Sequence, residues 1–137
     1  MSNPYESCKR PLVLLVDDCV EQRDLYEMTL EADFDTLTSG RGPDAIALAN
    51  ARCPDAILLD LRMPGMDGIE VCRHLKRDPV TAGIPVIILT GVDDHDIQTD
   101  ALIAGAAALL TKPCSPPKLL GTIRAAVDRS LTPLRLK

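Results

Sequence analysis

Ala56-Ile57-Leu58-Leu59-Asp60-Leu61-Arg62-Met63-Pro64-Gly65-Met66-Asp67-Gly68 is the stretch whose reading decides the fold. Its first four residues are apolar at consecutive positions and too few for a helix. They read as a short strand covered on both faces, the pattern of a parallel sheet. The run ends on a carboxylate, Asp60. Met63-Pro64-Gly65 then turns the chain through Pro and Gly chemistry. Asp67, beside Gly68, reads as the N-cap of a helix over residues 67–77 that carries Ile69, Val71, Cys72 and Leu75.

The same punctuation recurs on either side. Apolar runs fall at residues 11–16, 85–89 and, more weakly, 106–110, and a further strand is expected at Asp35-Thr36-Leu37-Thr38. Helical patterns lie between them. Over residues 20–31, Val20, Leu25, Met28 and Leu30 mark one broad apolar face; residues 44–52 are Ala-rich behind Pro43. Residues 96–104 carry Ile97, Ala101 and Leu102, and residues 115–130 open on Pro116-Pro117 and repeat Leu119, Leu120, Ile123, Ala126 and Val127. Strand followed by helix, five times over, predicts an α/β protein with helices on both faces of a parallel sheet. One domain is expected over residues 11–130, with a polar tail at 1–10 and a tail or the start of a linker at 131–137.

Composition agrees with one domain of aliphatic core: 137 residues, 46% hydrophobic but only 2% aromatic. The formal charge, 15 − 20 = −5, is a poor match for direct nucleic-acid binding, which draws its affinity from phosphate neutralisation. No apolar run approaches the roughly 18–20 residues of a membrane span, and residues 1–10 hold no apolar targeting core. The five cysteines (Cys8, Cys19, Cys53, Cys72 and Cys114) are odd in number and lack CxxC spacing. They read as free thiols in a reducing cytoplasm rather than a disulfide or zinc framework.

In an open parallel sheet the functional site lies beyond the carboxyl ends of the strands. The residues placed there are Asp17-Asp18, Asp60, Thr90 and Thr111-Lys112-Pro113. Three carboxylates at close quarters repel one another unless a counter-charge joins them. A hard cation such as Mg²⁺ suits them, because it takes oxygen ligands and pairs carboxylates with phosphate. A carboxylate so neutralised can act as a nucleophile towards phosphorus, and phosphoryl transfer asks mainly for positioning and charge neutralisation. Lys112 and Thr90 add an ammonium and a hydroxyl. His74 and His95 lie away from these strand ends and read as surface residues; Asp93, Asp94 and Asp96 read as a solvated helix start.

With these residues in order, the chain resembles the response-regulator receiver domains over about residues 10–130. The resemblance is carried by Val16-Asp17-Asp18, the segment 58–68 around Asp60, Leu89-Thr90-Gly91 and Thr111-Lys112-Pro113. It implies a flavodoxin-like, doubly wound five-stranded parallel sheet of order 2-1-3-4-5 with five helices. It implies Asp60 as phosphoacceptor. Mg²⁺ would be held by Asp18, Asp60 and the Arg62 carbonyl, with Asp17 acting mainly through water. Thr90 and Lys112 would hold phosphoryl oxygens, and the Lys112–Pro113 bond would be cis. A histidine kinase or histidine phosphotransfer protein would supply the phosphoryl group, and an unidentified target protein would read it at the face around the fourth helix, fifth strand and fifth helix.

Three positions depart from the family's pattern. Leu109 stands where a Tyr or Phe usually serves as the switch together with Thr90, so the usual aromatic readout is not available. Cys19 replaces a common acid after the acidic pair. Arg62 and Val92 occupy the places that tune hydrolysis. The missing aromatic also fits a phosphate shuttle or sink without output switching. Other functions of this fold are poorly matched: Asp17-Asp18 would repel the phosphate of a flavin, and a haloacid-dehalogenase-type phosphatase needs two acids separated by one residue.

Overall fold

Each run of consecutive aliphatic residues forms a strand, and successive side chains point to opposite faces of the sheet. The computed structural model describes residues 10–91 and 94–131. Val92 and Asp93, and residues 1–9 and 132–137 of the tails expected at 1–10 and 131–137, lie outside the described residues. The elements are β1 Leu12–Val16, α1 Val20–Leu30, β2 Asp35–Ser39, α2 Gly42–Arg52, β3 Ala56–Asp60, α3 Gly68–Arg77, β4 Val86–Thr90, α4 His95–Ala104, β5 Ala108–Thr111 and α5 Pro116–Leu131. All pairings are parallel and the order is β2-β1-β3-β4-β5, as the resemblance implied.

The alternation splits the core in two. Leu14, Val16, Ile57, Leu59, Val86 and Ile88 face Ala45, Ala49, Val71, Leu75 and Ala101, which belong to α2, α3 and α4. Val13, Leu15, Leu58, Ile87 and Leu89 face Leu30 of α1, Phe34 in the loop after it, and Leu119, Ile123 and Val127 of α5. Phe34 is buried and carries the Arg124 guanidinium 5.0 Å from its ring centroid. After β1 the chain steps outward to β2 and then returns across β1 to β3. The switch point is therefore the crevice between the carboxyl ends of β1 and β3, where ligands of such sheets bind.

Several expectations shift. The expected apolar face of α1 is wrong: Val20, Leu25 and Met28 are 56%, 61% and 70% exposed, and of that set only Leu30 is buried. The helix instead turns Gln22, Arg23 and Tyr26 inward, because its first turns cover the polar end of the sheet rather than the core. Pro43 stands in the first turn of α2, which begins at Gly42 rather than Asp44. The α4 helix begins one residue before the expected Asp96, with Asp94 as N-cap accepting the Asp96 N–H at 2.8 Å. Gly105, at φ 104° in the left-handed region, ends α4, and the Ala106 N–H returns to the Ala101 carbonyl at 3.0 Å, so β5 starts only at Ala108. The Asp67 cap is as expected and forms a full capping box with Glu70. No helix among the described residues is long and apolar enough to cross a membrane.

Candidate functional site

Registry alone brings the site residues together. Val16 pairs with Leu59, Asp60 with Leu89 and Thr90 with Thr111, so each strand delivers its polar last or next residue to one edge. Asp17, Asp18 and Asp60 each place a carboxylate oxygen there, all within 4.8 Å of one another. Asp17 is buried, Asp18 exposed and Asp60 buried. The Asp17 N–H donates to the Ser39 carbonyl at 3.0 Å, and its Oδ1 accepts the Cys19 N–H at 2.9 Å. Its Oδ2 is buried with no hydrogen-bond partner among the described residues. Burial pushes the Asp17 carboxyl above its usual range, Asp60 and Asp18 add to the rise, and the Cys19 N–H and Lys112 oppose it.

Lys112 answers part of this negative charge. Its ammonium donates to Asp60 Oδ1 at 2.9 Å and to Gln22 Oε1 at 2.6 Å. The Lys112 N–H donates to the Thr90 carbonyl at 2.7 Å, and the Lys112–Pro113 peptide is cis. Thr90 is buried at the end of β4. Arg62 is exposed on the loop that leaves β3. That loop is pinned by two backbone bonds, Leu61 N–H to the Leu89 carbonyl and Gly68 N–H to the Leu61 carbonyl, both at 2.8 Å. The backbone passes so close at Gly68 that a Cβ there would stand 2.6 Å from the Asp60 carbonyl oxygen.

Leu109 does not join the carboxylates. It lies half-buried beside Ile88 in β5 and packs on the core layer that includes Ile97 of α4. Gln22 and Tyr26 of α1 do reach the site and were not anticipated. Burial raises the Tyr26 phenol, Lys112 opposes, and Asp17 and Asp60 add to the rise. Their periodic spacing with Leu30, four residues each, was the available signal. It was masked by the more apolar Val20, Leu25 and Met28.

The family model described as response regulator receiver domain matches residues 13–124. The chain belongs to that family. This receiver domain is 42% identical over 114 residues to the response regulator PleD of Caulobacter vibrioides, covering 82% of the chain and 25% of PleD. It is 39% identical to the phosphate regulon transcriptional regulatory protein PhoB of Pseudomonas aeruginosa, covering 86% of the chain and 52% of PhoB. The receiver thus spans about a quarter to a half of these relatives. Among solved structures, the Vibrio cholerae chemotaxis protein CheY4 superposes with a TM-score of 0.81 at 29% identity, covering 85% of the receiver and 98% of CheY4.

Proposed function

We propose that this receiver, over residues 11–130, accepts a phosphoryl group on Asp60 in a Mg²⁺-dependent reaction and signals through protein contacts. The observation that carries the reading is the Lys112 ammonium at 2.9 Å from Asp60 beside the unpartnered, buried Asp17 Oδ2. Three oxygen-donor carboxylates within 4.8 Å, one with an orphaned oxygen, fit a hard cation. Asp18, Asp60 and the Arg62 carbonyl would hold Mg²⁺, with Asp17 behind them through water. The bound ion supplies charge neutralisation on the phosphoryl oxygens.

A carboxylate oxygen of Asp60 forms a bond to the phosphorus of a phosphohistidine. The phosphorus–nitrogen bond breaks, and its electron pair leaves with the imidazole of a histidine kinase or histidine phosphotransfer protein. Asp60 exchanges its carboxylate charge for the phosphoryl charge. Lys112 follows that charge to a phosphoryl oxygen, and the Thr90 hydroxyl donates to another. Leu109, two residues before the end of β5, passes the change to α4 by packing rather than through a phenol. The exposed Leu102 and Ile103 on α4 extend that face towards a target protein. A cytoplasmic location goes with this reading, since the donor kinase and reduced thiols are found there.

The test is to incubate the protein with Mg²⁺ and acetyl phosphate and weigh it intact, beside Asp60→Asn. A phosphoryl gain that needs Mg²⁺ and vanishes in the variant is expected. A gain that persists in Asp60→Asn would place the chemistry elsewhere.

A further inference from the structure

Gln22 is the third residue of α1, counted from the N-cap Cys19. In a capping box a Gln at that position bends back to accept the N-cap backbone N–H. Here that N–H is already taken by Asp17 Oδ1 at 2.9 Å, and Cys19 makes no side-chain cap of its own. The Gln22 carbonyl oxygen is thereby released from the helix end. It accepts instead from the Lys112 ammonium at 2.6 Å, across 90 residues of sequence.

We infer that Gln22 is a positioning residue for phosphoryl transfer, holding the Lys112 ammonium over Asp60 before a phosphodonor arrives. The inference rests on the proposed role of Asp60. An ammonium has three N–H donors. One is on Asp60 Oδ1 and one on Gln22 Oε1, which leaves a third for an incoming phosphoryl oxygen. Lysine carries its charge on a flexible four-carbon stem, so a second anchor fixes the charge where the reaction needs it. As the charge moves from the Asp60 carboxylate to the phosphoryl group, Lys112 exchanges one partner and keeps the other.

Two variants test this. Gln22→Met keeps the length of the side chain and removes the acceptor; Gln22→Glu keeps an oxygen at the same reach. Rates of Mg²⁺-dependent phosphoryl uptake are measured against acetyl phosphate concentration, and the ¹⁵N signal of the Lys112 ammonium is followed in the unphosphorylated protein. Gln22→Met is expected to lower the maximal rate about fivefold, as loss of one such hydrogen bond does. The half-saturating donor concentration stays unchanged and the Lys112 signal is lost to exchange. Gln22→Glu is expected to restore the Lys112 signal and most of the rate. A Gln22→Met protein that takes up phosphate at the parent rate with its Lys112 signal intact overturns the inference, as does a Gln22→Glu protein as slow as Gln22→Met. Failure of the underlying reading shows separately, as uptake by the parent protein that does not depend on Asp60.

Discussion

Lys112 and Asp60 form the ion pair at the centre of the site, Nζ to Oδ1 at 2.9 Å, with the two side chains 19% and 10% exposed. The pair is held from behind as well as across, since the Lys112 N–H is fixed on the Thr90 carbonyl and its ammonium on Gln22. Its electrostatic role is large because three carboxylates share the space with it.

Replacing Lys112 by Met leaves Asp60 largely buried and without its cation. Loss of a charged partner at a poorly solvated carboxylate is expected to cost about 1–3 kcal/mol of stability in urea titrations without Mg²⁺. Saturating Mg²⁺ is expected to recover most of it. Phosphoryl uptake should fall by roughly a hundredfold, because removing one preorganised donor from a charge-developing site has that order of effect. A variant that takes up phosphate at the parent rate would show that the pair is structural alone.

Asp17 has its carboxyl raised by burial and by its acidic neighbours. The native state therefore keeps its proton at pH values where the unfolded chain, near the ordinary value of about 3.9, has released it. In the metal-free protein this site contributes stability that declines as pH rises from about 4 through the raised native value. Asp17→Asn removes that slope. The difference in stability between variant and parent is expected to move in favour of the variant as pH rises from about 4 to about 7 without Mg²⁺. Mg²⁺ at neutral pH should stabilise the parent more than the variant. A pH-independent difference would mean that Asp17 is not the group that makes the empty site costly.

Gly68→Ala and Gly121→Ala should act in opposite directions. At Gly68 an added Cβ meets backbone, 2.6 Å from the Asp60 carbonyl oxygen and 3.0 Å from the Leu61 Cα, neither of which can swing away. Overpacking of this kind costs about 1–3 kcal/mol, and here it also shifts Asp60, so Mg²⁺ affinity should weaken. At Gly121, within α5, an added Cβ meets nothing within 4 Å. Alanine there is expected to stabilise by about 0.5–1 kcal/mol through helix propensity. Thermal melts of the two variants, with Mg²⁺ titrations of the first, check both.

Much of this was legible in the sequence because the central strands β1, β3 and β4 are buried on both faces and read as nearly unbroken aliphatic runs. Their carboxyl ends locate Asp17, Asp18, Asp60, Thr90 and Lys112 without further help. The inner face of α1 was not legible, and the reason is physical. Its inward positions are Gln22, Arg23, Tyr26 and Leu30, and the first two serve the polar rim, so a search for apolar spacing selects the solvent-exposed Val20, Leu25 and Met28 instead. The start of β5 was misplaced for a related cause: Ala106 is buried like a strand residue, yet its N–H closes the end of α4.

Arg62 offers the last prediction. It leaves β3 two residues after Asp60, and its exposed side chain lines a groove with Met63, Pro64, Asp67, Ile97 and Asp100. Two acids, Asp67 and Asp100, line the same groove. A phosphoryl group on Asp60 would draw the Arg62 guanidinium inward, where it would hinder the approach of hydrolytic water. Arg62→Ala is therefore expected to shorten the aspartyl-phosphate lifetime several-fold while leaving the rate of uptake nearly unchanged, because the backbone carbonyl assigned to Mg²⁺ is retained. Arg62→Lys should fall between the two, keeping the charge without the planar fork. Intact-mass decay curves after removal of the phosphodonor measure this directly, and equal lifetimes for Ala and Arg at this position would strip the side chain of any part in protecting the phosphoryl group.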